Sequence, residues 1–489
     1  MKTTLKLISL LLVLSMLTLP AFAEETEAAD LTPATVAARL HDNSAATYAT
    51  LSEIALSADA DIKSVYIVFR STPIGFTVSC GSETARFEGG YLQYFADLKG
   101  KFSAETKNIK ITLDESVSVC DIYAFGEGTL PDFVHNWQAP HEKADLLLFT
   151  SHADDEQLFF AGVLPYYAGE LGLRVQVAYF TDHINEPGRR HELLNGLWTV
   201  GVRNYPEISD FPDQYSETYD GALYNLKAHG FTEDDVLAYQ TMLLRRFKPL
   251  VAVGHDLEGE YGHGQHKLNS GTLTKAVELA TDAANYPDSA TQYGTWDTPK
   301  LYLHLYGENQ IIMDWDTPLE AFGGKTAFQA TQDGFQCHKS QHFTWFNTWL
   351  NGSGTITKAS QITQHSPQKY GLYRTIVGED VAKNDFFENI TTYEEQERIA
   401  AEEEAKRKEE EERKRKEEES RKAAEEESRR AEEEAKNTTS APDDKREPIK
   451  IGSELKFVLA LMAVAIIAMI ITVKVMNSRN KRRRRRRRR

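Results

Sequence analysis

Between residues 64 and 125 the chain alternates apolar and polar positions in short runs. Residues 65–69, 75–78, 85–87, 91–95, 109–113 and 117–125 are rich in β-branched and aromatic side chains and are separated by glycine or polar turns. Such runs predict the strands of a small β-sandwich-like domain. The stretch before them, residues 32–58, reads as a mixed helical start. From Lys143 the pattern changes. Residues 145–150 form a continuous apolar run, as a strand covered on both faces requires. Residues 157–171 have helical spacing, 174–180 predict a strand ending in Thr181-Asp182, 189–201 a helix, and 249–254 a strand running into His255 and Asp256. Strands alternating with helices predict an α/β fold, a Rossmann-like open, mostly parallel sheet with flanking helices.

The pattern changes again after residue 392. Residues 393–436 are almost entirely Glu, Arg, Lys and Ala, and Glu402–Lys406, Glu403–Arg407, Glu404–Lys408, Glu409–Arg413 and Glu410–Lys414 stand in the favourable i to i+4 order. No apolar a/d seam accompanies them, which argues against a coiled coil. The expectation is a single solvated helix about 65 Å long at about 1.5 Å per residue, with a disordered charged linker as the rival.

Two apolar segments set expectations for location. Lys2 and Lys6, an apolar run over 7–19 and the exit Ala21-Phe22-Ala23 predict a cleavable leader. Residues 457–473 are uncharged and predict one membrane helix over 455–475. Lys474, Arg479, Lys481 and Arg482 to Arg489 follow it, so the expectation is a single-pass cell-membrane protein with its body extracellular and its basic tail cytoplasmic. A membrane surface, and no nucleic acid, is then the partner of the arginine run. The expected organisation is a leader over 1–23, a mainly β domain over 24–140, an α/β domain over 141–391 and a helical stalk over 392–436. A linker over 437–454, the membrane helix over 455–475 and a tail over 476–489 complete it.

Charge and cysteines narrow the picture. The net charge of −17 becomes −28 for residues 1–473 once the eleven positive charges after the apolar segment are set aside. That argues against polyanionic partners for the body. Three cysteines exclude a disulfide scaffold, although Cys80 and Cys120 allow one bridge with Cys337 left over.

The chemistry is concentrated in two clusters, His152-Ala153-Asp154-Asp155-Glu156 and Tyr261-Gly262-His263-Gly264-Gln265-His266. Each follows a predicted strand, where open α/β sheets place their sites. Two imidazoles and a carboxylate from separated segments are able to hold one divalent metal with a position left for water, and a further carboxylate then takes the proton of that water. His152, Asp155 and His266 make such a ligand set, with Asp154 as the base. Tyr261 or a protonated His263 is placed to support the oxyanion, and His263 to protonate the leaving amine. Each has a plain rival. Asp154 and Asp155 also suit an acidic helix cap, Tyr261 a packing role, and Thr181, Asp182, His255 and Asp256 turns and caps.

Four segments in order, over about residues 144–341, resemble the PIG-L/LmbE-like family of zinc-dependent N-acetylglucosaminyl de-N-acetylases. They are Ser151 to Glu156; Arg189-Arg190-His191-Glu192-Leu193 followed by Val200-Gly201-Val202; Gly259 to His266; and His338-Lys339-Ser340-Gln341. The resemblance implies Zn2+ on His152, Asp155 and His266, Asp154 as general base, Tyr261 and His263 assisting the tetrahedral intermediate, and Arg189 reaching the substrate. Ala153 stands where the family usually has proline, and Gln265 where many members have aspartate. The implied substrate is an N-acetylated amino-sugar glycan or glycolipid, at the cell surface if the chain is tethered there. The alternatives are a carbohydrate-binding surface protein that keeps the metal fold without turnover, and an amidase for another acyl-amine conjugate. Ser118 to Gly126 resembles the closing strand of discoidin-like carbohydrate-binding sandwiches, which leaves the first domain as a sugar binder or a spacer. Phe343-Thr344-Trp345-Phe346 and Trp349 either line a sugar cleft or close the core.

Overall fold

The computed structural model describes residues 26–351 and 355–437. An antiparallel six-stranded sheet comes first: β1 (Ala49–Ser57), β2 (Ser64–Phe69), β3 (Gly75–Cys80), β4 (Glu83–Glu88), β5 (Gln93–Asp97) and β6 (Asn108–Phe125). The two strands expected over 109–113 and 117–125 are one 18-residue strand. Its first half pairs with β3 and its second with β2, while β1 runs along both, so the sheet turns about β6 to enclose Ile54, Val65, Phe76, Ile111 and Val119. The helical start is also corrected. Apart from a 3-10 turn at Ala38–Leu40, its ordered element is β1, whose Ile54 and Leu56 alternate inward with period two. Cys80 and Cys120 are free and buried, each directed at a different carbonyl, Glu105 O and Ala45 O, so the expected bridge is absent.

The second sheet has seven strands, β7 (Leu146–Thr150), β8 (Val175–Tyr179), β9 (Glu207–Ile208), β10 (Val251–Gly254), β11 (Lys300–His304), β12 (Gln310–Ile312) and β13 (Lys369–Thr375). Strands 9-8-7-10-11 are parallel, and β13 and β12 extend the edge antiparallel. Every residue of β7, β8, β10 and β11 is buried. That explains the apolar runs of β7 and β10, since helices cover both faces.

The helices are α1 (Asp155–Leu158), α2 (Pro187–Thr199), α3 (Tyr219–Ala228), α4 (Glu233–Phe247), α5 (Gly264–Leu279), α6 (Pro287–Tyr293), α7 (Ala327–Phe335), α8 (Asn347–Leu350) and α9 (Tyr393–Asn437). The helix expected over 157–171 is instead short α1 and a π-helical turn at Pro165–Glu170, separated at Gly162, whose φ of +91° breaks the spiral. A Thr232 capping box starts α4, with Glu233, Asp234 and Asp235 in its first turn.

Helix α2 joins the two sheets. His191 Nε2 donates to Phe69 O of β2 at 3.0 Å, Gln93 of β5 donates to Asn195 Oδ1 at 2.7 Å, and His135 stacks on Trp198 at 4.8 Å. The N-terminus of the same helix carries Arg189.

Helix α9 has 45 residues, and the pairs Glu404–Lys408 and Glu410–Lys414 close at 2.7 and 2.9 Å. Among the described residues no helix is long and apolar enough to cross a membrane. The single-pass, cell-membrane assignment is corrected accordingly. The leader over 1–23 and the apolar segment over 455–475 lie outside the described residues.

Candidate active site

The two histidine clusters leave the carboxyl ends of β7 and β10, neighbouring strands at which the chain order of the sheet reverses. This is the crevice position of an open α/β sheet. His152 follows β7, Asp155 begins α1, and His266 sits in the first turn of α5.

Three donor atoms converge there. His152 Nδ1 is 3.0 Å from Asp155 Oδ2 and 3.1 Å from His266 Nε2, and that Nε2 is 3.1 Å from the same carboxylate oxygen. Their tautomers are set from behind. His266 Nδ1 donates to Glu260 Oε2 at 2.7 Å and His152 Nε2 donates to Gln265 Oε1 at 3.0 Å, so the inner nitrogens present lone pairs. Two lone pairs and a carboxylate oxygen in such proximity require a cation among them. A proton satisfies two of the three atoms; a divalent ion satisfies all. Ligands of a tetrahedral zinc, at about 2.0–2.2 Å from the ion, stand about 3.3 Å from one another. The donor set and its spacing fit zinc.

Neighbouring histidines are committed elsewhere. His255 Nε2 accepts from the Ser151 amide at 3.0 Å and its Nδ1 donates to Glu260 at 2.8 Å. His263 Nδ1 accepts from the Gln265 amide at 3.2 Å, which leaves Nε2–H as its donor. Burial, with His152 and His266 beside it, lowers the His263 pKa to about 2. The imidazolium expected there is therefore replaced by a neutral ring, which supplies an N–H without a charge. Burial and the Asp155 charge raise the Tyr261 phenol, so it stays protonated and able to donate.

Asp154 is 6% exposed and has φ 121°, ψ −23°, outside the ordinary regions for a residue with a side chain. It occupies the N-cap of α1 without a side-chain cap bond. The capping rival consequently fails for this carboxylate. Burial first, then the adjacent Asp155 charge, push its pKa up to about 7 against the opposing pull of Arg189. Asp155 goes the other way: the two histidines outweigh its burial and hold it well below the carboxylate range.

Arg189 is turned toward protein acceptors. Its Nη1 meets Asp213 at 3.1 Å and Glu186 at 3.3 Å, its Nη2 donates to Ala153 O at 3.0 Å, and the same nitrogen lies 3.7 Å from Asp154. It braces the strained loop. Ala153 has a use that proline lacks, because its N–H donates to His183 Nε2 at 2.9 Å. Gln265, which stands where many family members have aspartate, orients His152 while its Nε2 donates to Pro212 O at 2.8 Å. Thr181 and Asp182 serve turns, bonding Ser151 O and the Ile184 amide.

Two buried partners, Glu260 and Glu156, and the half-buried Asp213 escaped the sequence reading. Glu260 accepts from His255, His266 and His304, the last at 2.6 Å. Glu156 accepts the Asp154 amide at 3.0 Å and faces His338 Nε2 at 2.8 Å. Asp213 lies 3.5 Å from His152 Nε2 and 3.3 Å from His183 Nδ1. Glu156 lay inside the first cluster and Glu260 directly before the second, but no spacing rule singles out a carboxylate that acts behind a ligand.

Zinc affinity will depend on pH. Burial favours neutral His266, but Asp155 and Glu260 overcome it and raise its pKa to about 10. The metal-free site therefore holds a proton at neutral pH, and a metal must displace it. Affinity should rise about tenfold per pH unit across the neutral range, as read by chelator competition; a flat profile would refute this.

No family model matches the chain. Over 216 residues it is 25% identical to 1D-myo-inositol 2-acetamido-2-deoxy-alpha-D-glucopyranoside deacetylase 1 of Catenulispora acidiphila, covering 40% of this chain and 65% of that protein. Over 211 residues it is 26% identical to the corresponding deacetylase of Geodermatophilus obscurus, covering 38% and 70%. The chain thus spans about two thirds of the length of these curated relatives. Among solved structures, N,N'-diacetylchitobiose deacetylase from Pyrococcus horikoshii is similar at 14% identity and a TM-score of 0.34, covering 49% of this chain and 88% of that one.

Proposed function

Since the chain belongs to the PIG-L/LmbE-like family of N-acetylglucosamine deacetylases, we propose that it is a zinc-dependent amide hydrolase that removes the acetyl group from an N-acetylglucosamine-containing glycan or glycoconjugate. The observation that carries this reading is the convergence of His152 Nδ1, His266 Nε2 and Asp155 Oδ2 within 3.1 Å of one another, beside a carboxylate raised to about 7. His152, Asp155 and His266 hold the ion; when bound, it polarises the amide carbonyl and makes water acidic enough to supply hydroxide near neutrality.

The remaining work falls to side chains. Asp154 takes the proton of the attacking water as the new C–O bond forms, because its proton affinity suits transfer near neutral pH. Neutral His263 Nε2–H and the Tyr261 hydroxyl donate to the carbonyl oxygen as it gains charge. Asp154 then returns the proton to the nitrogen, the C–N bond breaks, and acetate and a free amine leave. Arg189, Glu156 and His183 keep Asp154 and its loop in place. A substrate fixed to a cell surface was tied to the membrane anchor and is not part of the proposal.

The test is acetate release by the zinc-loaded protein from N-acetylglucosamine, its inositol conjugate and chito-oligomers. Release that disappears on chelation and returns with zinc is expected. Stoichiometric zinc without release from any of them would sink the assignment.

A further inference from the structure

A run of aromatic rings leads from the ligand histidines to solvent. The Tyr261 ring lies 5.6 Å from His266 and 5.5 Å from His263, centre to centre. Phe346 lies 5.2 Å beyond it, Trp345 packs on Phe346 at 4.0 Å with 30° between the rings, and Trp349 backs Trp345 edge-on at 4.9 Å. Core closure accounts for Phe346, which is buried, but not for Tyr261 and Trp345, which remain 39% and 48% exposed. Tyr215 packs edge-on against His263 at 5.2 Å and is 64% exposed. Wet apolar rings continuous with a polar reaction centre mark a ligand groove.

We propose that Trp345, continued by Tyr261, is a stacking platform for a second pyranose ring, so that the substrate is a glycan of at least two sugars. This rests on the deacetylase reading of the metal centre. The occupant follows from chemistry and position. A pyranose ring turns a face of polarised C–H bonds to the negative face of an indole or phenol while its hydroxyls stay in water at the rim. A half-exposed ring satisfies that requirement, whereas a fully enclosed apolar pocket strips the hydroxyls of water. The platform starts at Tyr261, which packs against the ligand His266 and the donor His263, so a ring lying on it is covalently next to the sugar whose amide is cleaved. Trp345 and its aromatic supports carry no charge, which suits neutral sugars better than an acidic or basic aglycone.

The experiment compares Trp345→Ala with wild type, both zinc-loaded and full length, on N-acetylglucosamine and tri-N-acetylchitotriose. The preference for the trimer, as a ratio of kcat/KM values, should fall about tenfold, mostly through KM, and Trp345→Phe should keep most of it. An unchanged ratio overturns the platform. If wild type releases no acetate from either sugar, the deacetylase reading fails by itself and the platform is judged by fluorescence titration. Trimer binding that Trp345→Ala abolishes then supports it, and binding indifferent to Trp345 overturns it. Self-association abolished by Trp345→Ala would assign the face to a second copy of the chain and overturn it as well.

Discussion

Asp154→Asn will lower kcat about a thousandfold, within the range of about 10²–10⁴ that general-base catalysis contributes, and will leave the zinc content unchanged. Asparagine keeps the size of the side chain and removes its ability to take a proton. The neighbouring contacts survive, because the Asp154 amide, not its carboxylate, bonds Glu156, and Arg189 is held chiefly by Asp213, Glu186 and Ala153 O. The pH profile gives a second readout. Asp154 must be deprotonated to act, and burial with the Asp155 charge places it at about 7 before any metal binds. A bound dication stabilises the carboxylate, so the acid limb of wild-type kcat/KM should lie below pH 7, with activity falling as pH drops through it. The variant should lose that limb. A loss of less than about tenfold in kcat would remove Asp154 from the role of base.

Glu260→Gln will do the reverse, weakening zinc binding by about 10–100-fold, the usual cost of losing a partner behind a metal ligand. Glu260 is fully buried, and its two oxygens receive protons from His255 and His266 on one side and His304 on the other. Those three histidines outweigh burial and hold the carboxylate well below its ordinary range. A glutamine offers one acceptor oxygen and turns an NH2 toward an N–H, leaving at least one buried donor unpaired. If that donor is His266 Nδ1, the ring loses what fixes its tautomer, and Nε2 no longer presents its lone pair to the ion. Chelator competition measures the affinity directly. Activity should return at saturating zinc, which separates this variant from Asp154→Asn, fully loaded and inactive. Unchanged zinc affinity would show that the tautomer is fixed without Glu260.

Local patterning decided a large part of this protein. The buried strands β7 and β10 appear in the sequence as apolar runs, because a strand covered on both faces has no polar side to reveal. Helix α9 follows from charge spacing alone, since i to i+4 pairs need no tertiary partner. The convergence of His152, Asp155 and His266 was legible because metal chemistry restricts residue types and because both clusters follow predicted strands.

What the sequence left open depends on contacts between distant segments. Residues 49–57 read as helical until β6 offers them a ladder, and the two runs at 109–113 and 117–125 become one strand because β1 spans the junction between them. Gln265 stands out in the sequence only as a departure from the family's aspartate, yet its oxygen reaches His152, 113 residues away. Arg189 was directed at substrate, but Asp213, which no motif announces, turns it back to brace the loop of Asp154. The protonation states were decided last. Asp154 and Asp155 are chemically identical neighbours in the chain, and only burial and the placement of two histidines and one arginine raise the proton affinity of one and lower that of the other. A sequence fixes which groups are available; their desolvation and their charged neighbours, which set proton affinity, exist only once the chain has folded.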